Sequence, residues 1–289
     1  MISVIIPNYN TKELLGKCLD SLRSQTYRQI EIIVVDNASC DGSIEMLESL
    51  YPEVKLVKNT TNLLFCKAEN QGIEASKGDF ILCLNTDCVL DKDYLTEALR
   101  SIDKDAKIGM VSGKILREDK KTIDSTGQFL GRSRKAIERG YEKKDRGQYE
   151  TPGYIFGVPG ACAFFRKSML NDIRDEFGYF DERFGMYYED LDLCWRAQKR
   201  RWKAYYTPKA IAYHGRAGSA LTLHRDKKRF IFPYLSGDLK KRYIMNRYRC
   251  MKKNDSFWSI LINLPFIIGY DSLLWGYMLF SALSYDKKA

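Results

Sequence analysis

Apolar positions in the first half of the chain fall in short, dense blocks: "ISVII" (2–6), "IEIIVV" (30–35), "VKLV" (54–57) and "FILCL" (80–84). Blocks this short and rich in β-branched residues read as strands buried on both faces. Between them, 11–25, 43–50 and 66–77 carry apolar residues at helical spacing. This alternation predicts an α/β fold, a mostly parallel central sheet with helices on both faces. A helix over 91–103 and a strand over 108–115 extend it. Residues 117–150, rich in Lys, Arg and Gly and weakly periodic, read as a long mobile loop or a partly ordered excursion. "GYIFGVPGACAFFRKS" (153–168) reads as strand, glycine turn, strand. An acidic helix over 189–201 follows, and then "KAYYT" and "AIAYH" as two further short strands.

The pattern changes toward the end of the sequence. From Arg225 to Lys253 there are eleven Lys or Arg against two Asp, after which "SFWSILINLPFIIGY" and "SLLWGYMLFSALSY" are apolar apart from Asp271 between them. Neither half reaches the ~20 residues that span a bilayer, and Pro265, Gly269 and Asp271 interrupt the pair. Ser256, Ser259 and Asn263 fall on one helical face. A basic stretch followed by aromatic-rich amphipathic helices predicts an interfacial anchor on an anionic membrane. A helical subdomain packed on protein is the alternative. The expected division is a domain over 1–224 and a helical, membrane-associating segment over 225–289.

Composition narrows this picture little. A net charge of +10 and a pI near 9.1 imply attraction to anions, whether phosphate, nucleic acid or an acidic membrane. The eight cysteines include no C-x-x-C pair and several lie in apolar runs, so neither a zinc site nor a disulfide framework is indicated. Reduced thiols fit the cytosol. The opening "MISVIIP" lacks the basic start, apolar run and cleavage site of a signal peptide. The expected location is cytoplasmic, peripheral on the inner face of the cell membrane.

Ligands of such sheets bind beyond the carboxyl ends of the strands. Those positions hold "PNYN" (7–10), "DNASCDGS" (36–43), "KNTTN" (58–62) and "NTD" (85–87). Such residues are ordinary turn formers, but four such loops on one edge favour a polar crevice. At a strand end, Asp36 could accept the imide N–H of uracil or thymine. Asp87 suits a hard cation, since Mg²⁺ commonly takes only one or two protein carboxylates. "GMYYEDLDLCWR" (185–196) crowds Glu189, Asp190 and Asp192 into four positions. Acids gain roughly 0.3–1 kcal/mol each in the first turn of a helix, which is one account of them. Leu191, Cys194, Trp195 and Trp202 share an apolar face by the 3.6 period, so Asp190 and Asp192 are expected to flank a buried stripe. Asp190, at the core's edge, is placed to take a proton from an incoming hydroxyl. His214 ends an apolar strand, and both a hydrogen-bonded strand end and a metal or phosphate contact are open to it. His224 has no assignment.

Taken in order, "SVIIPNYN", "VVDNASCDGS", "NTTNLLFCKAENQGI", "LCLNTD", "GVPGACAFFRKS", "FGYFDERFGMYYEDLDLCWRAQKRRW" and "AYHGRAGSA" resemble the successive motifs of family 2 glycosyltransferases. The likeness is to the bacterial rhamnosyltransferase-like and galactofuranosyltransferase-like branch, and "YIMNRYRCMKKN" resembles the segment that follows in it. The resemblance implies a GT-A fold, a nucleotide-diphosphate sugar donor (dTDP- or UDP-sugar, rhamnose favoured), Mg²⁺ or Mn²⁺, and inversion at the anomeric carbon. It implies a glycan or lipid-linked glycan as acceptor, in cell-surface polysaccharide synthesis. Position by position, Pro7, Asn8, Tyr9, Asp36 and Asn37 would line the nucleoside pocket, and Asn62 and Asn70 would support the donor. Asp87 would be the metal aspartate, and His214 would join the metal or the diphosphate. Asp190 would be the general base with Glu189 as runner-up, and Trp195 and Arg196 would brace the acidic helix. One departure is Leu64, where the family often has Gly.

Two rivals differ in class. A nucleotidyltransferase acting on sugar phosphates usually carries a glycine- and arginine-rich phosphate loop after the first strand, and "PNYNTKELL" has none. A non-catalytic basic scaffold on membrane or nucleic acid would use the charge surplus. That surplus clusters at 117–150 and 225–253, away from the acidic loops, and no RNA-reading aromatic motif interrupts it. No nucleic-acid partner is expected.

Overall fold

The computed structural model describes residues 1–216, Phe232 and 235–285, with side chains as far as Leu279. In chain order, the first half runs β1 (Ile2–Asn8), α1 (Lys12–Arg23), β2 (Ile30–Asp36), α2 (Ser43–Leu50), β3 (Lys55–Lys58), α3 (Leu64–Ala75), β4 (Phe80–Leu84), β5 (Cys88–Leu90), α4 (Tyr94–Ile102) and β6 (Ile108–Arg117). There follow β7 (Ile123–Ser125), β8 (Gln128–Leu130), β9 (Ala136–Glu138), β10 (Gly153–Ile155), β11 (Cys162–Arg166), α5 (Lys167–Ile173), α6 (Glu189–Lys199) and β12 (Lys203–His214). Two long helices close the described chain, α7 (Gly237–Asn254) and α8 (Phe257–Tyr285).

The sheet order is β10-β12-β6-β11-β4-β1-β2-β3. One block, β4-β1-β2-β3, is parallel, as the alternation of strands and helices predicts. The second parallel pair, β6 and β12, is joined to it by β11, which runs antiparallel to both β4 and β6. Strand β6 is therefore not the neighbour of β4. Phe164 and Phe165 alternate across β11 and both are buried, so the joining strand fills the core on either side of it. "KAYYT" and "AIAYH" form one strand, β12, whose pairing with β6 shifts between Thr207 and Ile211. Pro208 falls in that shift, where a residue lacking an N–H donor costs the ladder nothing.

Helices pack closely on the parallel block. A side chain at Gly72 of α3 would run into Ile5 of β1, so that helix lies on the sheet as only glycine permits. Asp41 serves two helices at once. Its Oδ2 accepts the Lys12 N–H at the start of α1 (2.8 Å) and its Oδ1 the Ser43 N–H at the start of α2 (3.0 Å). Donors that a helix leaves open at its N-terminus are thereby satisfied. All eight cysteines are free and only Cys40 is exposed.

The region 117–150 is ordered rather than mobile. It supplies β7 on the edge of β6 and the β8–β9 hairpin, with Ile123, Asp124, Ser125, Thr126 and Gln128 all buried. Strands of three residues are too short to show a period, which is why the pattern hid them.

The chain divides into two units, residues 1–129 with 138–215, and residues 130–137 with 216–289. The expected boundary at 224/225, and His224, lie outside the described residues. In the second unit α8 is continuous through Pro265 for 29 residues, so the interruption read from Pro265, Gly269 and Asp271 does not hold. Proline removes one helical donor without ending this apolar run. Asp271 is taken up by α7: its Oδ1 lies 2.7 Å from Arg247 Nε and its Oδ2 accepts from Tyr248 Oη at 3.1 Å. Arg134 reaches Asp255 and the Ser259 carbonyl, tying the 130–137 segment into the same unit.

Leu64 opens α3 with φ at +67°, a left-handed conformation that costs an L-residue about 1–2 kcal/mol. The backbone therefore takes the form a glycine would adopt freely, although the residue is Leu. Glycine in a helix is normally about 1 kcal/mol less stable than alanine. At this position the order should reverse: chemical denaturation is expected to find Leu64→Gly more stable than Leu64→Ala by about 1 kcal/mol.

Candidate active site

Parallel register brings the polar strand ends together. Asn8 pairs with Asp36 at the carboxyl ends of β1 and β2. Asp36 is fully buried: Asn8 Nδ2 donates to its Oδ2 at 2.7 Å, and the Ser39 N–H to its Oδ1 at 2.8 Å. Two of its four lone-pair directions are thus taken, leaving capacity to accept from a ligand. Pro7 precedes Asn8 in the same strand, and Tyr9 stands 49% exposed beside them. Asn37 receives Asn59 Nδ2 on its Oδ1 (2.9 Å) and donates to the Leu64 carbonyl (3.4 Å). Thr11 Oγ1 spans from Asn8 Oδ1 (2.7 Å) to Thr86 Oγ1 (2.9 Å), fastening this loop to "NTD".

Asp87 follows β4, and His214 ends β12 opposite Cys88 of β5. His214 Nε2 lies 3.3 Å from Asp87 Oδ1, while Nδ1 lies 2.8 Å from Asp124 Oδ2. Asp124 in turn meets Arg117 Nε at 2.7 Å. Burial by itself lowers the imidazole, but Asp124 and Asp87 outweigh it and push His214 up to about 9. A carboxylate on Nδ1 fixes the ring so that Nε2 points at Asp87, the usual support of a metal-bound histidine. Two donors held at ~2.1 Å from one cation at right angles lie about 3 Å apart, close to the separation found. Cys88 is near enough to join them. Its thiol donates instead to the Ala161 carbonyl (3.2 Å), and burial pushes it well above the ordinary thiol range. Asp87 and His214 thus suit Mg²⁺ or Mn²⁺, and the thiol does not.

The acidic helix α6 begins after two consecutive left-handed residues, Tyr187 (φ +69°) and Tyr188 (φ +72°). Such conformations cost of order 1–3 kcal/mol each and collect at functional sites. The three acids diverge. Asp192 is fully buried and paired with Arg196 at 2.9 Å, so it belongs to the core instead of flanking it. Arg196 also donates to the Ile173 and Tyr179 carbonyls, both at 2.6 Å, which braces the helix. Trp195 packs edge-on against Phe156, while Trp202 lies past the helix end. Asp190 faces the glycine loop: its Oδ2 accepts from the Gly160 N–H (3.2 Å) and Gln128 Nε2 (3.1 Å), and its Oδ1 from the Leu191 N–H (2.7 Å). Burial raises its carboxyl above the ordinary range despite these bonds. Glu189 has one buried oxygen with no hydrogen-bond partner among the described residues. Burial, and then the charge of Asp190, push it up to about 8.

One dipeptide joins the two halves. Gly160 N–H is on Asp190, and the carbonyl of the next residue, Ala161, accepts from the Asn85 N–H (3.0 Å) and the Cys88 thiol, two residues before Asp87 and one after it. Adjacent Cα atoms are about 3.8 Å apart, so the segments that carry Asp190 and Asp87 meet at this dipeptide. Gly157 opens the loop in contact with Cys194 of α6, where an added Cβ would lie 2.7 Å from the sulfur.

Asn62 is exposed and caps the Leu64 N–H through its Oδ1 (2.9 Å). Asn70 is buried, with Nδ2 on the Phe180 carbonyl and Oδ1 on the Phe180 N–H, both at 2.8 Å. Its amide therefore secures the loop leading to α6, and any support it gives a donor passes through that loop. Asp124 and Gln128 were not identified from sequence. Both lie in the stretch read as a mobile loop or excursion, where the signal that could have marked them is "DSTGQ" (124–128), polar residues in a basic run.

The profile of "Glycosyl transferase family 2" matches residues 3–174. The poly-beta-1,6-N-acetyl-D-glucosamine synthase of Staphylococcus epidermidis is 27% identical over 214 residues, covering 73% of this chain and 49% of that protein. The chain thus spans about half the length of that synthase. The amylovoran biosynthesis glycosyltransferase AmsB of Erwinia amylovora is 30% identical over 222 residues, covering 73% of this chain and 69% of the relative. Among solved structures, residues 1–349 of S. aureus TarS in complex with UDP-GlcNAc align with a TM-score of 0.59 at 20% identity, over 88% of this chain and 67% of that one. The mannosyltransferase PcManGT from Pyrobaculum calidifontis, in complex with GDP-Man and Mn²⁺, aligns with a TM-score of 0.55 at 15% identity, over 98% and 86%. These two likenesses are of fold. With well over half its length matched and the mixed sheet shared with such enzymes, the chain belongs to glycosyl transferase family 2.

Proposed function

We propose that the protein is an inverting, metal-dependent glycosyltransferase that moves a sugar from a dTDP- or UDP-sugar to a hydroxyl of a glycan or lipid-linked glycan in cell-surface polysaccharide synthesis. The observation that carries this is the Gly160–Ala161 dipeptide, with Asp190 at one end and the residues flanking Asp87 at the other. Inversion needs a proton acceptor for the incoming hydroxyl on one side of the sugar and stabilisation of the departing diphosphate on the other.

Asp190 takes the acceptor proton. Its Oδ1 carries one hydrogen bond and its Oδ2 two, so Oδ1 has the greater free capacity for the hydroxyl. Burial makes it a stronger base than a free aspartate. Glu189, pushed up to about 8, is protonated at neutral pH and has no free charge to accept with, which favours Asp190 over it. Asp87 and His214 would hold the cation, which when bound neutralises charge on the leaving diphosphate. Asp36 and Asn8 receive the base edge, where a carboxylate selects the imide donor shared by uracil and thymine. Rhamnose is the sugar favoured by the motif resemblance. N-acetylglucosamine is the second reading, favoured by the names of the staphylococcal synthase and of the UDP-GlcNAc complex. Nucleic acid is not a partner in this reading.

The C-terminal helices suit an anionic membrane surface on the cytoplasmic side. Residues Phe257–Leu279 are long and apolar enough to cross a bilayer. Helix α7, however, carries seven Lys or Arg, and its Arg247 is bonded to Asp271 partway along α8. Drawing α8 through the hydrocarbon would drag that cationic helix with it, at ~2.5–3.5 kcal/mol per charge. An orientation along the interface lets α8 bury its exposed Trp258 (70%) and Ile262 (68%) while α7 meets anionic headgroups.

Three measurements test this reading. Asp190→Asn is expected to keep donor affinity by calorimetry while turnover falls by ~10²–10⁴; full turnover would exclude the base role. Asp87→Ala is expected to abolish the gain in UDP or dTDP affinity that Mn²⁺ gives the wild type, and an unchanged gain would remove Asp87 from the metal site. Trp258→Glu combined with Ile262→Glu should release the full chain from anionic vesicles in a flotation assay, whereas equal flotation of variant and wild type would dismiss the membrane face.

A further inference from the structure

Resting on Asp190 as the base, we infer that Gln128 is a positioning residue for it, holding the carboxylate in register through a side-chain bridge anchored on β7 and β9. Gln128 is almost completely buried, and its Nε2 lies between two carboxylates, 3.1 Å from Asp190 Oδ2 and 3.2 Å from Glu138 Oε1. Two acceptors face one end of the amide, which fixes its orientation: the NH₂ must point at them, and the oxygen away. That oxygen is buried with no hydrogen-bond partner among the described residues. An amide kept in that position despite an unsatisfied oxygen is held for what its nitrogen does. Glu138 is fixed in turn by Ser125 Oγ at 2.5 Å. The backbone repeats the link, since Gln128 and Gly157 exchange N–H···O bonds (2.9 and 3.0 Å) at the mouth of the glycine loop that also donates to Asp190.

The same short stretch reaches the other half of the site. Asp124, next to Ser125, orients His214, while Gln128 orients Asp190. Residues 124–128 thus bracket proton acceptor and metal ligand from one piece of backbone.

The groups facing Asp190 set the sign of a pH test. They are Glu189 beside it, the Cys194 thiol on the next turn of α6, the Gly160 N–H from the loop and Glu138 behind Gln128. Gln128→Glu is nearly isosteric, removes the donor and adds negative charge. Both changes disfavour ionised Asp190, so its titration should move to higher pH. The acid limb of the kcat profile is expected to rise by about one pH unit or more, with kcat down about tenfold at pH values below the limb and donor KM unchanged. Gln128→Met, which only removes the donor, should move the limb in the same direction by less. In parallel, the ¹³C carboxyl signal of Asp190, identified by its loss in Asp190→Asn, reports the same titration without turnover. A Gln128→Glu protein with wild-type melting and an unmoved Asp190 titration overturns the inference. A shifted carboxyl signal in a protein that transfers no sugar from any nucleotide donor supports the Gln128 contact and overturns the transferase reading instead.

Discussion

A carboxylate withdrawn from water must be given donors or give up its charge, and this requirement orders the crevice. Asp36 has Asn8 and the Ser39 N–H, Asp124 has Arg117 and His214, Asp190 has Gln128 and the Gly160 N–H, and Asp192 has Arg196. Apart from the Asp192–Arg196 pair, which lies within α6, each pairing ties one segment of the chain to another, so satisfying the charges also assembles the site. Glu189, lacking such a partner on its buried oxygen, rises to about 8, and Glu69 on α3, shielded beside the Cys83 thiol, does the same. Burial raises both neighbours on α6, but Asp190 keeps three donors against it while one oxygen of Glu189 has none among the described residues. In the proposed transferase, that difference favours Asp190 over Glu189 as the proton acceptor.

The parallel half of the sheet was legible because its signals are local. Dense apolar runs with polar residues at their ends placed Asn8, Asp36 and Asp87 on one edge, where they lie. What escaped was long-range and short-period. Nothing near Asp124 announces a contact with a histidine 90 positions later, and three-residue strands carry no readable alternation. Asp192 was misplaced for a related reason: an ion pair within its own helix hides it from water, whereas helical spacing alone leaves an acid beside the apolar stripe. Leu64 is the reverse case. A leucine is strained in a left-handed turn, yet the backbone takes one, held by the Asn62 cap and the Asn37 contact with its carbonyl.

In the second unit, the feature that weakens α8 as a membrane span is the one that pairs it with α7. An aspartate in an apolar helix is tolerable when a buried arginine meets it, and Tyr248 and Trp275 extend the contact through a 3.1 Å hydrogen bond. The polar face of α8 is thereby spent on its neighbour, and its exposed large side chains are apolar.

The Gly160–Ala161 dipeptide holds α6 on one side and the turn after β4 on the other. Its two residues are covalent neighbours, about 3.8 Å apart at Cα, so a displacement of α6 or of the turn after β4 is felt by the other through one loop. In the proposed transferase, whatever shifts this loop would shift proton acceptor and cation ligands together, so neither could be tuned without the other.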